Sequence, residues 1–330
     1  MLEQGFFMTN KMRFFVVLSL LIMLQSVSGI ARQTWHLQDD GNWKVLADEE
    51  EGNYLTHIAR IKRLVSTGQS DAAEKSIKHF KEEFTDRVGP DFEAFAKAEI
   101  LYSRGKFARA GKSYRGFLTE HPESQFYEAA LERLFAIGNA YLGGRKKRVL
   151  KIFKIKGFAE GAKIMEHVSD AAGDSPIAVE AELSVARSLE ERGKYEEAYL
   201  KWSQIHLRRP TGDTGRDSLL AEARCKHAAY KGPKYDASNL KTAMTHYENF
   251  RVRYPQYSKR LDIDSKISQT IEQEAYKNFA IGRYYERTDS GQAAGFYYQM
   301  VIDRWPDSKA SEMASKRIQA MGLVSEEAAK

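Results

Sequence analysis

The residues that could carry out chemistry are spread along this 330-residue chain without the spacing that a reaction centre requires. No histidine lies three or four residues from another histidine, the spacing that would place two metal ligands on one face of a helix. Cys225 is the single cysteine, which excludes an intramolecular disulfide and a cysteine-rich metal site. Cys225 and His227 would point to different sides of a helix, so we expect Cys225 to pack in a helical core. The sequence predicts no metal site and no cofactor.

The sequence also lacks the local motifs of common enzymes. It has no G-x-S-x-G nucleophile elbow, no H-E-x-x-H zinc motif, no phosphate-binding loop and no G-x-G-x-x-G dinucleotide fingerprint. Acidic doublets such as Glu190–Glu191 and Glu196–Glu197 are typical of solvated helix faces. We therefore predict that the protein is not an enzyme and has no catalytic residue.

A short segment, residues 145–156, concentrates basic side chains and interleaves them with apolar ones. Such a segment can lie on an anionic membrane surface or meet an acidic partner. The alternative is a solvated loop whose apolar residues dock on the neighbouring helices. The candidate basic surface consists of Arg145, Lys146, Lys147, Arg148, Lys151 and Lys154.

Composition places the chain among ordinary folded proteins. Hydrophobic residues make up 42% and charged residues 29%, which excludes wholesale disorder. The formal net charge of +6 is modest for this length and is not gathered into a long basic stripe. We therefore expect protein partners and no nucleic acid.

An internal repeat organises most of the chain. Pro176 and Pro210 are 34 residues apart, which is the period of the tetratricopeptide repeat, a pair of antiparallel helices. Segments that start at Asp91, Val179 and Ala275 share small residues at the eighth and twentieth places and an aromatic residue at the twenty-fourth. These are Ala98, Ala110 and Tyr114; then Ala186, Ala198 and Trp202; then Gly282, Ala294 and Tyr298. Small residues let two helices approach closely, and the aromatic residue fills the space between units.

The repeat predicts an all-α fold, a right-handed α-solenoid of about six tetratricopeptide-like helix pairs with a C-terminal capping helix. The alternative is a mixed helical domain with chance periodicity. We place the array at residues 53–321, with units near 53–88, 91–124, 125–176, 177–210, 213–256 and 258–306 and a cap at 308–321. We expect no strands in it. Residues 31–52, which contain Trp35 and Trp43, are expected to form a flexible tail, and residues 322–330 a second tail.

The first thirty residues have the pattern of an export signal. Lys11 and Arg13 precede an apolar run at 14–24, and small residues follow at 26–31. The run is too short to cross a bilayer as a helix. We expect residues 1–30 to be a signal peptide, with a buried N-terminal helix as the alternative. No cysteine lies near the end of this leader, so the sequence offers no lipobox for an acyl anchor.

Four places of the first helix in each unit are expected to face the groove of the array. Aromatic residues exposed in a groove are effective anchors because they bury a large area at a low entropic cost. The alternative is that they pack against the preceding unit. The candidate peptide-binding groove consists of Phe92, Phe95, Glu99, Tyr102, Phe135 and Asn139. The candidate C-terminal partner surface consists of Tyr276, Phe279, Arg283 and Glu286.

The last unit also suggests a family. The segments Phe279–Arg287, Phe296–Val301 and Arg304–Ser308, together with the leader, resemble the BamD-type (YfiO) components of the outer-membrane β-barrel assembly machinery. This resemblance implies a non-enzymatic periplasmic adaptor. Its carboxy-terminal repeats would bind the barrel-inserting protein, and its amino-terminal repeats would receive unfolded β-barrel clients.

The function expected from these observations is therefore binding of other polypeptides in the periplasm, peripheral to the outer membrane. A general tetratricopeptide scaffold for cell-envelope, peptidoglycan or secretion machinery is the alternative. Family members usually carry a lipid anchor, and the missing lipobox cysteine is the departure from that pattern.

Overall fold

The computed structural model describes residues 34–37, 43–46, 49–149 and 153–322, with side chains from residue 53 onward except at 148–152 and 154. The predicted signal peptide and residues 323–330 of the predicted second tail lie outside the described residues. The described residues divide into two compact units, one formed by those up to residue 89 together with 102–105, and one formed by 90–101 and those from residue 106 onward.

The first unit contains a strand hairpin and a helix pair. Strand β1 (Thr34–Leu37) pairs antiparallel with β2 (Trp43–Leu46), with Trp35 opposite Val45. The prediction of a flexible tail is therefore wrong for these residues. Both segments contain β-favouring residues, and the intervening sequence contains Asp-Gly, which is a strong turn signal.

Helices α1 (Glu49–Ser66) and α2 (Ser70–Glu83) of the first unit pack against each other. The side chains buried in this unit include those of Tyr54, Ile61, Val65, Ala73, Ile77 and Phe80. Apolar residues at helical spacing on each segment produce this contact, and the rings of Tyr54 and Phe80 lie 5.5 Å apart. A 3-10 turn follows at Thr85–Arg87.

Helices make up most of the rest of the described chain. They are α3 (Pro90–Ser103), α4 (Phe107–Glu120), α5 (Tyr127–Leu142), α6 (Phe158–Ala172), α7 (Pro176–Glu191), α8 (Tyr195–Arg208), α9 (Gly212–Ala229), α10 (Ser238–Arg253), α11 (Pro255–Arg260), α12 (Ile263–Arg287), α13 (Gly291–Arg304) and α14 (Lys309–Ala320).

In the second unit, helices that follow each other in sequence pack side by side from α4 to α10, and α12 packs on α13 and α14. Helix α5 also packs on α7 and α12 on α14, so first helices of neighbouring pairs touch each other. Such neighbour contacts bury apolar faces that an isolated helix pair would expose. The prediction of an all-α helical-repeat fold is confirmed.

The small residues of the repeat lie where helices cross. Ala98, Ala110, Ala186, Ala198 and Ala294 are completely buried. Gly282 occupies the same repeat place as Ala98, and a Cβ atom built on it would lie 2.6 Å from Cε1 of the Tyr298 ring. Real contacts are not that short, so the hydrogen side chain of Gly282 allows the Tyr298 ring to pack directly on α12.

The turn between the two helices of a pair uses a left-handed residue. Gly105 has a φ of +65° and Gly193 a φ of +71°, which glycine adopts without steric cost. At the same repeat place in the last pair, Asp289 has a φ of 57°. The turn geometry is therefore retained where the sequence has lost its glycine.

The basic segment forms a second strand hairpin. Strand β3 (Lys146–Val149) pairs antiparallel with β4 (Phe153–Lys156), with Lys147 opposite Ile155. The prediction that the array contains no strands is wrong here. Apolar and basic residues alternate with period two in β4 (Phe153–Lys156), whereas β3 begins with three consecutive basic residues. Gly144, with a φ of +92°, separates the hairpin from α5.

In the part of the chain that the structure describes, no helix combines the length and the apolar character needed to cross a bilayer.

Candidate functional site

The end of α12 is fixed to its neighbours by one carboxylate. The Tyr298 hydroxyl donates a hydrogen bond of 2.6 Å to Oε2 of Glu286, and Nε of Arg317 donates one of 3.1 Å to the same oxygen. Tyr298 lies on α13 and Arg317 on α14. Glu286 therefore ties α12 to both following helices and sets the position of the residues around it.

Four aromatic rings next to this contact form what we call the aromatic surface, namely Tyr284, Tyr285, Phe296 and Tyr297. The rings of Tyr285 and Tyr297 are stacked, 5.6 Å apart and 12° from parallel. Tyr284 contacts Tyr285 edge-on, and Phe296 contacts Tyr297 edge-on, each pair 5.6 Å apart. The rings thus form a continuous row across α12 and α13.

The outer members of the aromatic surface face solvent. Tyr284 is 56% exposed and Phe296 is 65% exposed. Tyr285 and Tyr297 between them are half-buried. Exposed large aromatic side chains are informative because a partner can bury their ring area. Tyrosine adds a hydroxyl that can form a hydrogen bond at the edge of the contact. Chemically, this surface is suited to binding a polypeptide.

The predicted C-terminal partner surface is only partly accessible. Tyr276 and Arg283 are exposed on α12. Phe279 is buried, with its ring 5.5 Å from that of Tyr298, and Glu286 is occupied by Tyr298 and Arg317. The prediction that Phe279 and Glu286 are surface contacts is therefore wrong, because α13 and α14 cover them.

Sequence reasoning missed the four residues of the aromatic surface. They occur as the doublets Tyr284–Tyr285 and Phe296–Tyr297, one on each helix of the last pair. Successive residues on a helix point about 100° apart, so adjacent bulky rings cannot all enter the same core stripe. That argument could have indicated exposed aromatic residues here.

Part of the predicted peptide-binding groove is covered in the structure. Phe92 is 3% exposed and lies against the ring of Phe126. The ring of Phe95, which is half-buried, stacks on Phe126 at 5.0 Å and 13° from parallel. Phe126 comes directly before α5 and lies against both rings, so the prediction that Phe92 is exposed is wrong.

Glu99 is buried as well, with 3% of the residue exposed. It accepts a short hydrogen bond from the Tyr114 hydroxyl. The Arg133 guanidinium donates to both of its oxygens, from Nε at 2.8 Å and from Nη2 at 3.0 Å. Glu99 therefore joins α3, α4 and α5, and the prediction that it contacts a peptide is wrong.

The remaining groove candidates are more accessible. Tyr102 is half-buried near the end of α3. On α5, Phe135 is half-buried and Asn139 is exposed. These three residues remain predictions as binding contacts.

The contact made by Glu99 recurs along the chain. Glu190 accepts hydrogen bonds from Nε1 of Trp202 at 3.2 Å and from Nη2 of Arg224 at 2.9 Å. This hydrogen bonding raises the pKa of Arg224 above its usual value. In each case a glutamate of a first helix binds the aromatic residue of its own second helix and an arginine of the next unit. In the sequence, this contact corresponds to an arginine 34 residues after each of Glu99 and Glu190.

Cys225 packs in a helical core, as predicted. It is completely buried among Ala186, Ala198, Trp202 and Ile205. Burial raises the pKa of its thiol to about 12, so the reactive thiolate is not populated near neutral pH. The prediction that Cys225 is a packing residue is confirmed.

A cleft of about 490 Å³ lies between α9, α10 and α12, and its lining includes His227, Tyr230, Tyr247, Lys266 and Gln273. Nε2 of His227 lies 3.1 Å from Oε1 of Gln273, and burial lowers the pKa of this histidine. The residues that line this cleft include no serine or cysteine.

Two side chains of the candidate basic surface form contacts within the protein. The guanidinium of Arg145 lies over the Phe107 ring, 3.8 Å from its centre. Lys147 forms an ion pair of 3.0 Å with Glu160, and Lys146 is exposed. The side chains of Arg148, Lys151 and Lys154 lie outside the described ones. Phe153 and Ile155 of the same hairpin are exposed.

The described helices define the class of protein, which is a helical-repeat protein with an exposed aromatic surface on its last helix pair. No protein-family model and no curated protein matches the sequence. Among solved structures, the chain is similar to the C-terminal part of a TPR repeat-containing protein from Cytophaga hutchinsonii. That similarity has 14% sequence identity and a TM-score of 0.38, over 81% of this chain and 91% of the other. The function proposed below therefore rests on the geometry and the sequence of this chain.

Proposed function

We propose that this protein is a non-enzymatic adaptor that binds partner polypeptides through the aromatic surface. The observation that carries the proposal is the row of four contacting rings whose outer members, Tyr284 and Phe296, remain largely exposed. Covering such rings with a partner removes apolar area from water, which is the main source of binding free energy.

The rings are held in place before a partner arrives. Stacking of Tyr285 on Tyr297 and the hydrogen bond of Tyr298 to Glu286 connect the surface to the core of α12, α13 and α14. A preorganised surface loses less side-chain entropy on binding than a flexible one. Arg283, which is exposed and precedes Tyr284 in the sequence, forms an ion pair of 3.7 Å with Glu286, so its charge is already partly compensated within the protein.

The particular role that we propose is that of a periplasmic adaptor in outer-membrane β-barrel assembly. Two features of the sequence support it, the leader at residues 1–30 and the resemblance of the last helix pair to BamD-type proteins. The aromatic surface lies within the resembling segment. Its partner would then be the barrel-inserting outer-membrane protein, at the periphery of the outer membrane.

Site-specific photocrosslinking in cells tests this proposal. We would place the crosslinking residue at Phe296, and at Leu207 on α8 as the matched control, since Leu207 is an exposed apolar residue on another helix. We expect capture of a large outer-membrane β-barrel protein from position 296 but not from position 207. The double variant Tyr284→Ser/Phe296→Ser should weaken this interaction by about 30-fold, as expected for hot-spot residues.

Two outcomes would contradict the proposal at different levels. Equal crosslinking at positions 296 and 207 would remove the aromatic surface as a binding site. Capture of another envelope protein from position 296, with normal outer-membrane protein levels after depletion, would reject the barrel-assembly role and support a general envelope scaffold.

A further inference from the structure

We propose that His57, His79 and Glu83 of the first unit form a binding site for a divalent transition-metal ion, with Zn²⁺ as the fitting ion. His57 lies on α1, and His79 and Glu83 lie one turn apart on α2. One ligand atom from each residue lies within 4.8 Å of the others. Imidazole nitrogen and carboxylate oxygen are ligand types that Zn²⁺ prefers in proteins.

The distances match those between two ligands of one metal ion. Nε2 of His57 lies 3.3 Å from Oε2 of Glu83, and Nε2 of His79 lies 3.4 Å from the same oxygen. Ligands about 2.0–2.1 Å from a tetrahedral zinc ion lie roughly 3.3–3.4 Å from each other. Both distances exceed the usual range for an N–H···O hydrogen bond, about 2.7–3.2 Å. The spacing of both imidazole nitrogens from Oε2 of Glu83 is therefore compatible with a shared zinc ion.

Two neighbours hold the ligands in place. Nδ2 of Asn53 donates a hydrogen bond of 2.7 Å to Oε1 of Glu83, which leaves Oε2 directed toward the histidines. The ring of His57 contacts the ring of Phe84 edge-on, 5.6 Å away. Such supporting contacts orient the ligands of metal sites and contribute to their affinity.

The site is accessible from one side. The side chain of His57 is 15% exposed, that of Glu83 is 31% exposed and that of His79 is 63% exposed. An ion could enter on the His79 side, and water would complete a four-coordinate shell there. Because the ligands come from both helices, a bound ion would connect α1 to α2 and stabilise their pairing.

The sequence predicted no metal site because it has one cysteine and no two histidines at helical spacing. In the structure, His79 and Glu83 are four residues apart on α2, and His57 comes from α1. Only the packing of α1 on α2 brings the three residues together.

Zinc titration of the untagged full-length chain tests the proposal. We expect one saturable Zn²⁺ site by isothermal titration calorimetry and a higher melting temperature in the presence of Zn²⁺. Glu83→Gln keeps an oxygen for Asn53 but removes the carboxylate, and His79→Gln removes one imidazole. Each should weaken binding by at least about tenfold, since loss of supporting groups alone costs 10–100-fold.

Neighbouring residues provide the controls. Glu82→Gln changes the same charge one residue away, and His121→Gln removes a histidine outside the cluster, so both should bind Zn²⁺ like the unaltered chain. Circular dichroism would show that each variant is folded. Absence of saturable binding in the unaltered chain, or equal affinity in Glu83→Gln and Glu82→Gln, would overturn the proposal.

Discussion

The α3–α4 pair and the α12–α13 pair follow the same repeat pattern, but only the last pair carries additional aromatic residues that remain exposed. In the first pair, Phe95 stacks on Phe126, a residue that precedes the next helix. In the last pair, Tyr284 and Phe296 remain exposed. At the repeat place of Phe95 the last pair has Phe279, which is buried. Tyr284 and Phe296 stand at other places, where the first pair has Ile100 and Lys112. The place within the repeat therefore separates the rings that pack from the rings that remain exposed.

The two pairs are nevertheless held by the same polar contact. Glu99 binds Tyr114 and Arg133, and Glu286 binds Tyr298 and Arg317. The arginines differ in burial, since the side chain of Arg133 is 13% exposed and that of Arg317 is 36% exposed. The same contact is thus deeply buried in one pair and partly solvated in the other.

The largest expected effect concerns these glutamates. Glu99→Ala leaves the buried Arg133 without its carboxylate, so the free energy of unfolding should fall by about 3–5 kcal/mol. Glu286→Ala should cost only about 1.5 kcal/mol, because water can reach Arg317. Urea denaturation followed by circular dichroism measures both values. Equal losses would show that the two contacts do not differ as their burial suggests.

A second prediction separates packing rings from binding rings. Phe95→Ala removes a ring stacked on Phe126 and should lower the free energy of unfolding by about 3 kcal/mol. Phe296→Ala removes an exposed ring and should change it by less than about 0.5 kcal/mol. Thermal and urea denaturation of the two variants would test this. A large loss for Phe296→Ala would mean that the aromatic surface is part of the core.

The smallest expected effect concerns the turn between the helices. Asp289 has a left-handed conformation that Gly105 adopts at the equivalent place. Asp289→Gly should raise the stability by about 0.5 kcal/mol, because relief of steric strain exceeds the added freedom of the unfolded chain. The reverse change, Gly105→Asp, should lower it by a similar amount. Melting temperatures measure both, and a loss for Asp289→Gly would indicate that the aspartate side chain stabilises the turn.

Much of the fold could be predicted from the sequence because the repeat encodes it directly. Ala98 and Ala110 are small where helices cross, and Tyr114 fills the space between units. These requirements are local to one repeat period, so they appear as spacing in the sequence. The strand pairs at 34–46 and 146–156 were missed because each is short and interrupts or precedes the helical pattern.

The candidate site was predicted less well. Phe92, Glu99, Phe279 and Glu286 were expected on a surface, and the structure buries or engages all four. Tyr284 and Phe296 were not selected, and they are exposed. The repeat frame indicates which helix a residue belongs to and which side it faces. It does not indicate which later segment covers that side.

The sequence alone determined that this chain forms paired helices and which small residues recur at equivalent places of the pairs. The tertiary structure decided which aromatic rings remain exposed and which distant side chains meet, as His57 does with His79 and Glu83. The physical reason is that helix pairing follows from apolar periodicity within one repeat. Exposure and contacts between side chains depend on neighbours that the local sequence does not specify.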